Sequence, residues 1–272
     1  VQNNLTTLNN AKAWAGVTTS SDDLLLTRLI GNASQFILSF LQRPTLFQNV
    51  FSDVYDGVGQ RQQVLRNYPV ISVASVSVDG VSIAAATSPT GCGYVLDTWD
   101  GFPPGRPQAV SLRGYGFCQG HQNIAIAYTA GFVIQNEAQA VPSTGTFSVA
   151  AAQPYGVWGA DAGVTYASGT ALTAQPSNAS LIEGQYYVDP NTGVYYFAAA
   201  DANAEVLISY SYIPADIEQA CIEMVGERYN YKGRIGTVSK SLGGQETVSF
   251  SQKDMPDFIR TMLQPYRRVI PV

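Results

Sequence analysis

Between Asp22 and Pro44 the apolar residues recur three and four apart: Leu26, Leu29, Ile30, Ala33, Phe36, Ile37, Phe40 and Leu41. That spacing belongs to one face of a helix and predicts a helix over about 21–42. Ser20, three residues before Asp23, makes a weak capping box. Arg43 falls at the C-terminal end, and Pro44 supplies the stop. Twenty residues give about 30 Å of helix. Each large side chain on the stripe contributes ~1.5–3 kcal/mol when fully buried, so this face must pack on something. A shorter helix is expected over 7–15, capped by Thr6 or Thr7, with Leu8, Ala11 and Trp14 on one face and Gly16 at the end. The same period returns over 214–231. Pro214 suits the first turn, Ile217, Ala220, Cys221, Met224 and Val225 form the stripe, and Gly233 follows.

After Pro44 the period changes to two. "LFQNVFSDVYDG" and "RQQVLRNYPV" predict strands around a turn at Asp56-Gly57, and "ISVASVSVDGVSI" predicts a hairpin turning at Asp79-Gly80. Residues 88–107, rich in Gly and Pro, read as a long structured loop. "NIAIAYTAGF" reads as a strand ending at Gly131. In 135–212, "QYYVDPNTGVYYF" gives two strands around a Pro-Asn-Thr-Gly turn, with "AEVLISYSY" as a third. The tail carries a β-like "ETVSFS", a short helix in "MPDFIRTMLQPY" and a basic end. The expected fold class is α+β. A small helical bundle core with strands and hairpins spans 1–134 and 213–233, an antiparallel β module is inserted at 135–212, and an extended C-terminal tail covers 234–272.

Composition sharpens this picture. The 272 residues are 46% apolar and only 13% charged, with sixteen tyrosines, a residue that favours strands and interfaces. No run approaches the ~18 apolar residues of a membrane span and no secretory signal opens the chain, so a soluble, unexported protein is expected. Residues 1–227 hold 17 acids and 7 bases, whereas 228–272 hold 3 acids and 8 bases. The 135–212 segment has six acids and no base. Three cysteines, Cys92, Cys118 and Cys221, lack metal spacing. Buried thiols are expected, with a Cys92–Cys118 bridge as the alternative. Asp53 and Asp56 lack the ligand alternation of a calcium loop. Asp97 and Asp100, beside Trp99, suit either loop turns or a glycosidase dyad. His121 is the single histidine, and no phosphate-loop, zinc-protease or nucleophile-elbow motif occurs. Bases interleaved with aromatics at Arg228, Tyr229, Tyr231, Lys232 and Arg234, and again at Arg260, Tyr266, Arg267 and Arg268, suit a phosphate backbone or a protein surface.

The order of these pieces resembles the head–tail connector (adaptor) proteins of tailed bacteriophages. The resemblance is carried by Leu8, Ala11, Lys12, Asp22, Asp23, Arg43, Pro69, Val70, Val73, Val76, Gly80, Tyr128, Gly131, Pro214, Asp216 and Ala220. It covers about 1–134 and 213–232 and leaves 135–212 as an addition. It implies a virion protein, made in the host cytoplasm, that forms a ring of twelve copies below the portal. Such a ring extends the DNA channel without sequence-specific binding and joins the portal to the next neck or tail protein. No catalysis, cofactor, metal or membrane is implied. Portal contacts are expected at Phe258, Met262, Tyr266, Arg267 and Arg268, on a tail dispensable for the fold. Channel or subunit contacts are expected at Asp22, Arg28, Asn32 and Gln35, with Thr27 on the same face. Two other readings compete: a carbohydrate- or host-binding virion β protein using the β module and the Trp99/Asp100 loop, and a glycoside hydrolase using Asp97 and Asp100.

Overall fold

The stripe that opens the sequence reading lies on the longest helix of a computed structural model, which describes residues 4–97, 108–233, 239–242, 246–249 and 255–268, with backbone alone for 239–242 and 246–249. The architecture is α+β, with four α-helices and several antiparallel sheets among the described residues. The chain divides into two units: Val1–Gln42 with Ala215–Arg267, and Arg43–Pro214 with Arg268–Val272.

The first unit holds α1 (Leu8–Ala15), α2 (Asp23–Leu41), α3 (Ala215–Tyr231) and α4 (Asp257–Leu263). Thr7 caps α1 by accepting the Asn10 N–H, and Gly16 ends it in the left-handed region. The Ser20–Asp23 capping box does not form. Asp22 is the N-cap residue and its carboxylate instead accepts from the Tyr229 hydroxyl at 2.6 Å and from Lys232 Nζ at 3.2 Å. Lys12 Nζ takes Asp23 at 2.6 Å. The helix stops before Pro44 as expected, with Gln42 turning it off at φ 56° and returning its N–H to the Leu38 and Ser39 carbonyls. Leu26, Ile30, Ala33, Ile37 and Leu41 are buried as the stripe requires, and Ser34 and Leu38 join them. Phe36 stands 42% exposed. The buried face is rotated towards Ser34 and Leu38 because α2 packs on both α1 and α3. By length and composition alone α2 would pass for a membrane span; here its stripe forms the centre of this helical packing.

On α3 the expected stripe is buried together with Ile222, Gly226 and Glu218. Glu218 is 8% exposed and accepts from Thr6 Oγ at 3.2 Å and Asn10 Nδ2 at 2.7 Å. Pro214 sits one residue before the helix, where it completes the preceding strand.

The second unit runs through β1 (Asn49–Gly57), β2 (Gln62–Val64), β3 (Val70–Val78), β4 (Val81–Ile83), β5 (Gly93–Asp97), β6 (Ala109–Arg113) and β7 (Gly120–Ala130). It continues through β8 (Val133–Ala140), β9 (Ser148–Ala150), β10 (Gly156–Tyr166), β11 (Thr173–Ala174), β12 (Gln185–Val188), β13 (Val194–Phe197) and β14 (Glu205–Pro214). The sheet orders are β1-β7-β3-β4, β2-β6-β5, β10-β14-β8 and β11-β12-β13-β9. β15 (Ser239–Leu242) and β16 (Glu246–Ser249) form an antiparallel pair in the tail of the first unit.

The β3–β4 hairpin turns at Asp79-Gly80, both with positive φ. The β12–β13 hairpin turns where Asp189 accepts from Asn191 N–H and Thr192 Oγ. β1 and β2 do not form the expected hairpin: β1 pairs with β7 and β2 with β6. The third strand of the β module, β14, lies in a different sheet from β12 and β13, between β10 and β8. The module also contains one short parallel pairing, β11 with β12. Tyr55, Leu65, Val76, Val110, Phe117, Ile124, Ile126 and Tyr128 form a core cluster. Gly131 passes close to the chain before β1: a Cβ there would lie 2.6 Å from the backbone of Phe47 and Gln48, at a φ of 150°.

Candidate assembly surfaces

The polar side of α2 is set by the packing of its opposite face. Arg28, Asn32 and Gln35 are exposed, together with Thr27. They line a hollow of about 400 Å³ with Asn4, Leu24 and Gly31. Asp22 stands apart from them. It is tied to Tyr229 and Lys232, and the Tyr229 hydroxyl bond, followed by Lys232, lowers its pKa from the ordinary carboxylate value.

The tail residues separate into two groups. Phe258 is 55% exposed on α4 and Met262 is half-buried, whereas Ile259, Leu263 and Met255 are buried. α4 packs on α3. Tyr266 is buried and its hydroxyl donates to Asp216 at 3.1 Å. The Arg267 guanidinium lies 5.4 Å from the Phe40 ring centroid. In the second unit, Arg268 lies 3.9 Å from Asp53. That carboxylate also accepts from the Tyr128 hydroxyl at 2.6 Å and the Tyr55 hydroxyl at 3.1 Å. The sequence expectation is a tail dispensable for the fold; in the structure Met255, Ile259, Leu263 and Tyr266 of that tail are buried, and removing it would uncover the surface they cover.

The basefree acidic segment has an explanation that sequence reading missed. Three of its six carboxylates, Asp161, Glu137 and Asp201, are met by tyrosine hydroxyls and backbone N–H groups. Asp161 accepts from Tyr186 at 2.6 Å, from Tyr195 at 3.1 Å and from Gly163 N–H at 3.2 Å. Glu137 accepts from Tyr210 at 2.7 Å and from Ala152 N–H at 2.9 Å. Asp201, 2% exposed, accepts from Tyr166 and Gly184 N–H. Burial, and in the second place the carboxylate beside each ring, pushes the hydroxyls of Tyr186 and Tyr210 up. Tyr166 and Tyr128, by the same causes, are pushed up to about 12. The sequence signal was present: a tyrosine-rich segment with acids and no bases.

The chemical candidates are not assembled into a site. Asp97 accepts from Ser111 and Gln62 within its sheet, while Trp99 and Asp100 lie outside the described residues. Asp53 points inward, with 12% of its side chain exposed, and Asp56 outward, with 57%, where it meets His121 Nδ1 at 2.9 Å. The two carboxylates therefore do not share an ion. The described residues contain no group of three metal-binding side chains. Cys221 is buried as expected, but Cys92 and Cys118 are exposed free thiols, since both sit on surface loops flanking strands rather than beneath them.

Two family models match the sequence. One, described as head completion protein, matches residues 162–269. The other, described as phage gp6-like head-tail connector protein, matches residues 5–78. No curated protein matches the chain. Both families are structural proteins of the tailed-phage virion. The two matches, each over less than half of the chain, support a likeness to the tailed-phage head–tail connector (adaptor) proteins. The connector match spans α1, α2 and β1 to β3, and the head-completion match runs from within β10 through α3 and α4. The two matched segments meet in the helical unit, through Thr6 and Asn10 on Glu218, Asp22 on Tyr229 and Lys232, and Ser34 Oγ 3.6 Å from Cys221 Sγ.

Proposed function

We propose that the chain is a non-catalytic adaptor that assembles, in the host cytoplasm, as a ring of twelve copies below the portal. The ring lengthens the DNA channel and joins the capsid to the next neck or tail protein. The observation that carries this reading is the interlocking of the connector-matched and completion-matched segments in one helical unit. A core of 1–134 with 213–233 bears the β module of 135–212 and presents the tail of 234–272 to the portal. The head-completion match extends into that module from residue 162, which supports a neck role for it over glycan or host binding. Within the tail, the exposed Phe258 and the half-buried Met262 make the portal contact directly. Tyr266, Arg267 and Arg268 hold the segment in place from behind or exchange their internal partners for portal groups on docking. Asp22, Arg28, Asn32 and Gln35 face a neighbouring copy or the channel, where DNA passes without sequence-specific contacts.

The test is to size the purified chain, alone and with portal, by mass photometry and to image it by negative-stain electron microscopy. Closed rings with a central opening, seated on portals, are expected. Phe258→Ala with Met262→Ala should leave the rings intact and weaken their seating. A chain that stays monomeric with and without portal sinks the proposal.

A further inference from the structure

α2 is long and apolar, yet part of its apolar surface is uncovered: Leu24 is 86% exposed and Phe36 42%. Two hollows adjoin at Asn32 on its outward side, the one lined by Leu24, Arg28 and Gly31 and a second of about 300 Å³ lined by Leu29, Ala33, Phe36 and Met224. Arg28 is the only charged residue lining the first. Among the described residues it has no ion-pair or side-chain hydrogen-bond partner.

A counterpart lies on the other unit, in the turn before β12. Ile182 is 65% exposed, and the exposed Glu183 beside it has no ion-pair or side-chain hydrogen-bond partner among the described residues. The turn is held from beneath: Gln185 N–H donates to the Ile182 carbonyl at 3.0 Å, and Gly184 N–H donates to Asp201 at 3.3 Å. It thus presents an aliphatic side chain and an acid in a fixed order. The hollow presents a leucine, a glycine floor and a base. The two patches match in polarity and charge and belong to different units of the chain. A contact between them in successive copies is heterologous, the head-to-tail kind from which rings are built when the rotation between copies closes.

We propose that the Ile182–Glu183 turn of one copy docks in the α2 hollow of the next, with Ile182 over Leu24 and Gly31 and Glu183 facing Arg28. This rests on the ring reading above. The experiment sizes full-length chains, with and without portal, by sedimentation velocity and mass photometry. Arg28→Glu and Glu183→Arg each weaken assembly roughly tenfold or more, since like charges then face each other, and the double reversal recovers it. Gly31→Leu fills the hollow while replacing a poor helix former with a good one, so assembly falls while the melting temperature of the subunit holds or rises. Single reversals that assemble like the wild type, or a double reversal no better than the singles, overturn this docking while leaving the ring in place. A wild-type chain that never assembles overturns the ring and the docking together.

Discussion

Raising the pH should dismantle the β unit in a narrow alkaline range. Six of its tyrosines, Tyr55, Tyr128, Tyr186, Tyr195, Tyr210 and Tyr212, are at most 3% exposed. The pKa of each is raised, first by burial and in most by a neighbouring carboxylate as well. In the unfolded chain such a hydroxyl titrates near 10. Above that pH the unfolded state sheds protons that the folded state keeps, so stability falls as pH rises. The contribution of these groups is fully present below about pH 10 and is lost as pH climbs towards the folded values. Each group that stays protonated costs about 1.4 kcal/mol per pH unit beyond 10. Six such groups would remove about 8 kcal/mol by pH 11, and half that after a generous discount for local opening, against a typical stability of 5–15 kcal/mol. The assay is a phenolate absorbance titration run alongside far-ultraviolet circular dichroism. Ionisation of the six should be delayed and then arrive cooperatively with the loss of β signal. If all sixteen tyrosines titrate smoothly near pH 10 while the dichroism is unchanged, the buried tyrosine–carboxylate network does not exist as described.

Ile37→Ala empties a site at 0% exposure in the α2 stripe and should cost ~2–5 kcal/mol, read as a lowered denaturant midpoint. Glu218→Ala strands the donors of Thr6 and Asn10 and should cost ~1–3 kcal/mol by the same measurement; Glu218→Gln, which keeps an acceptor, should cost less. Gly131→Ala forces a Cβ against the Phe47 and Gln48 backbone. Soluble expression and the melting temperature should both drop, more than for Ala substitution at Gly145, where no atom lies within 4 Å of an added Cβ.

The local parts of this fold were legible and the long-range parts were not. Three helices announced themselves because a 3.6-residue period needs no knowledge of what lies opposite. The hairpins at Asp79-Gly80 and at 189–193 were legible because their turns carry their own chemistry. Period-two alternation identified β1 but not its partner. Its pairing with β7 spans some seventy residues, and alternation names a face, never a neighbour. The same limit hid the polar clusters. Asp161 meets Tyr186 and Tyr195 from 25 and 34 positions away, and Glu218 reaches Asn10 across 208. The exposed positions were half legible. Arg28, Asn32 and Gln35 followed from the helix period, but the acid and aliphatic side chain on the turn at 182–183 sit in a stretch with no period to read.

The replacement of cations by tyrosine hydroxyls has a consequence for how the fold responds to salt. Attraction between exposed charges is screened within about 10 Å at 0.1 M salt. The pairs at the ends of the helices, Lys12 with Asp23 and Lys232 with Asp22, are of that kind, with part of each side chain in water. Asp161, Glu137 and Asp201 hold their partners through short donor bonds, where mobile ions have little space to intervene. As the salt concentration rises or falls, the helical unit feels the change at its edges, and the β unit keeps its shape.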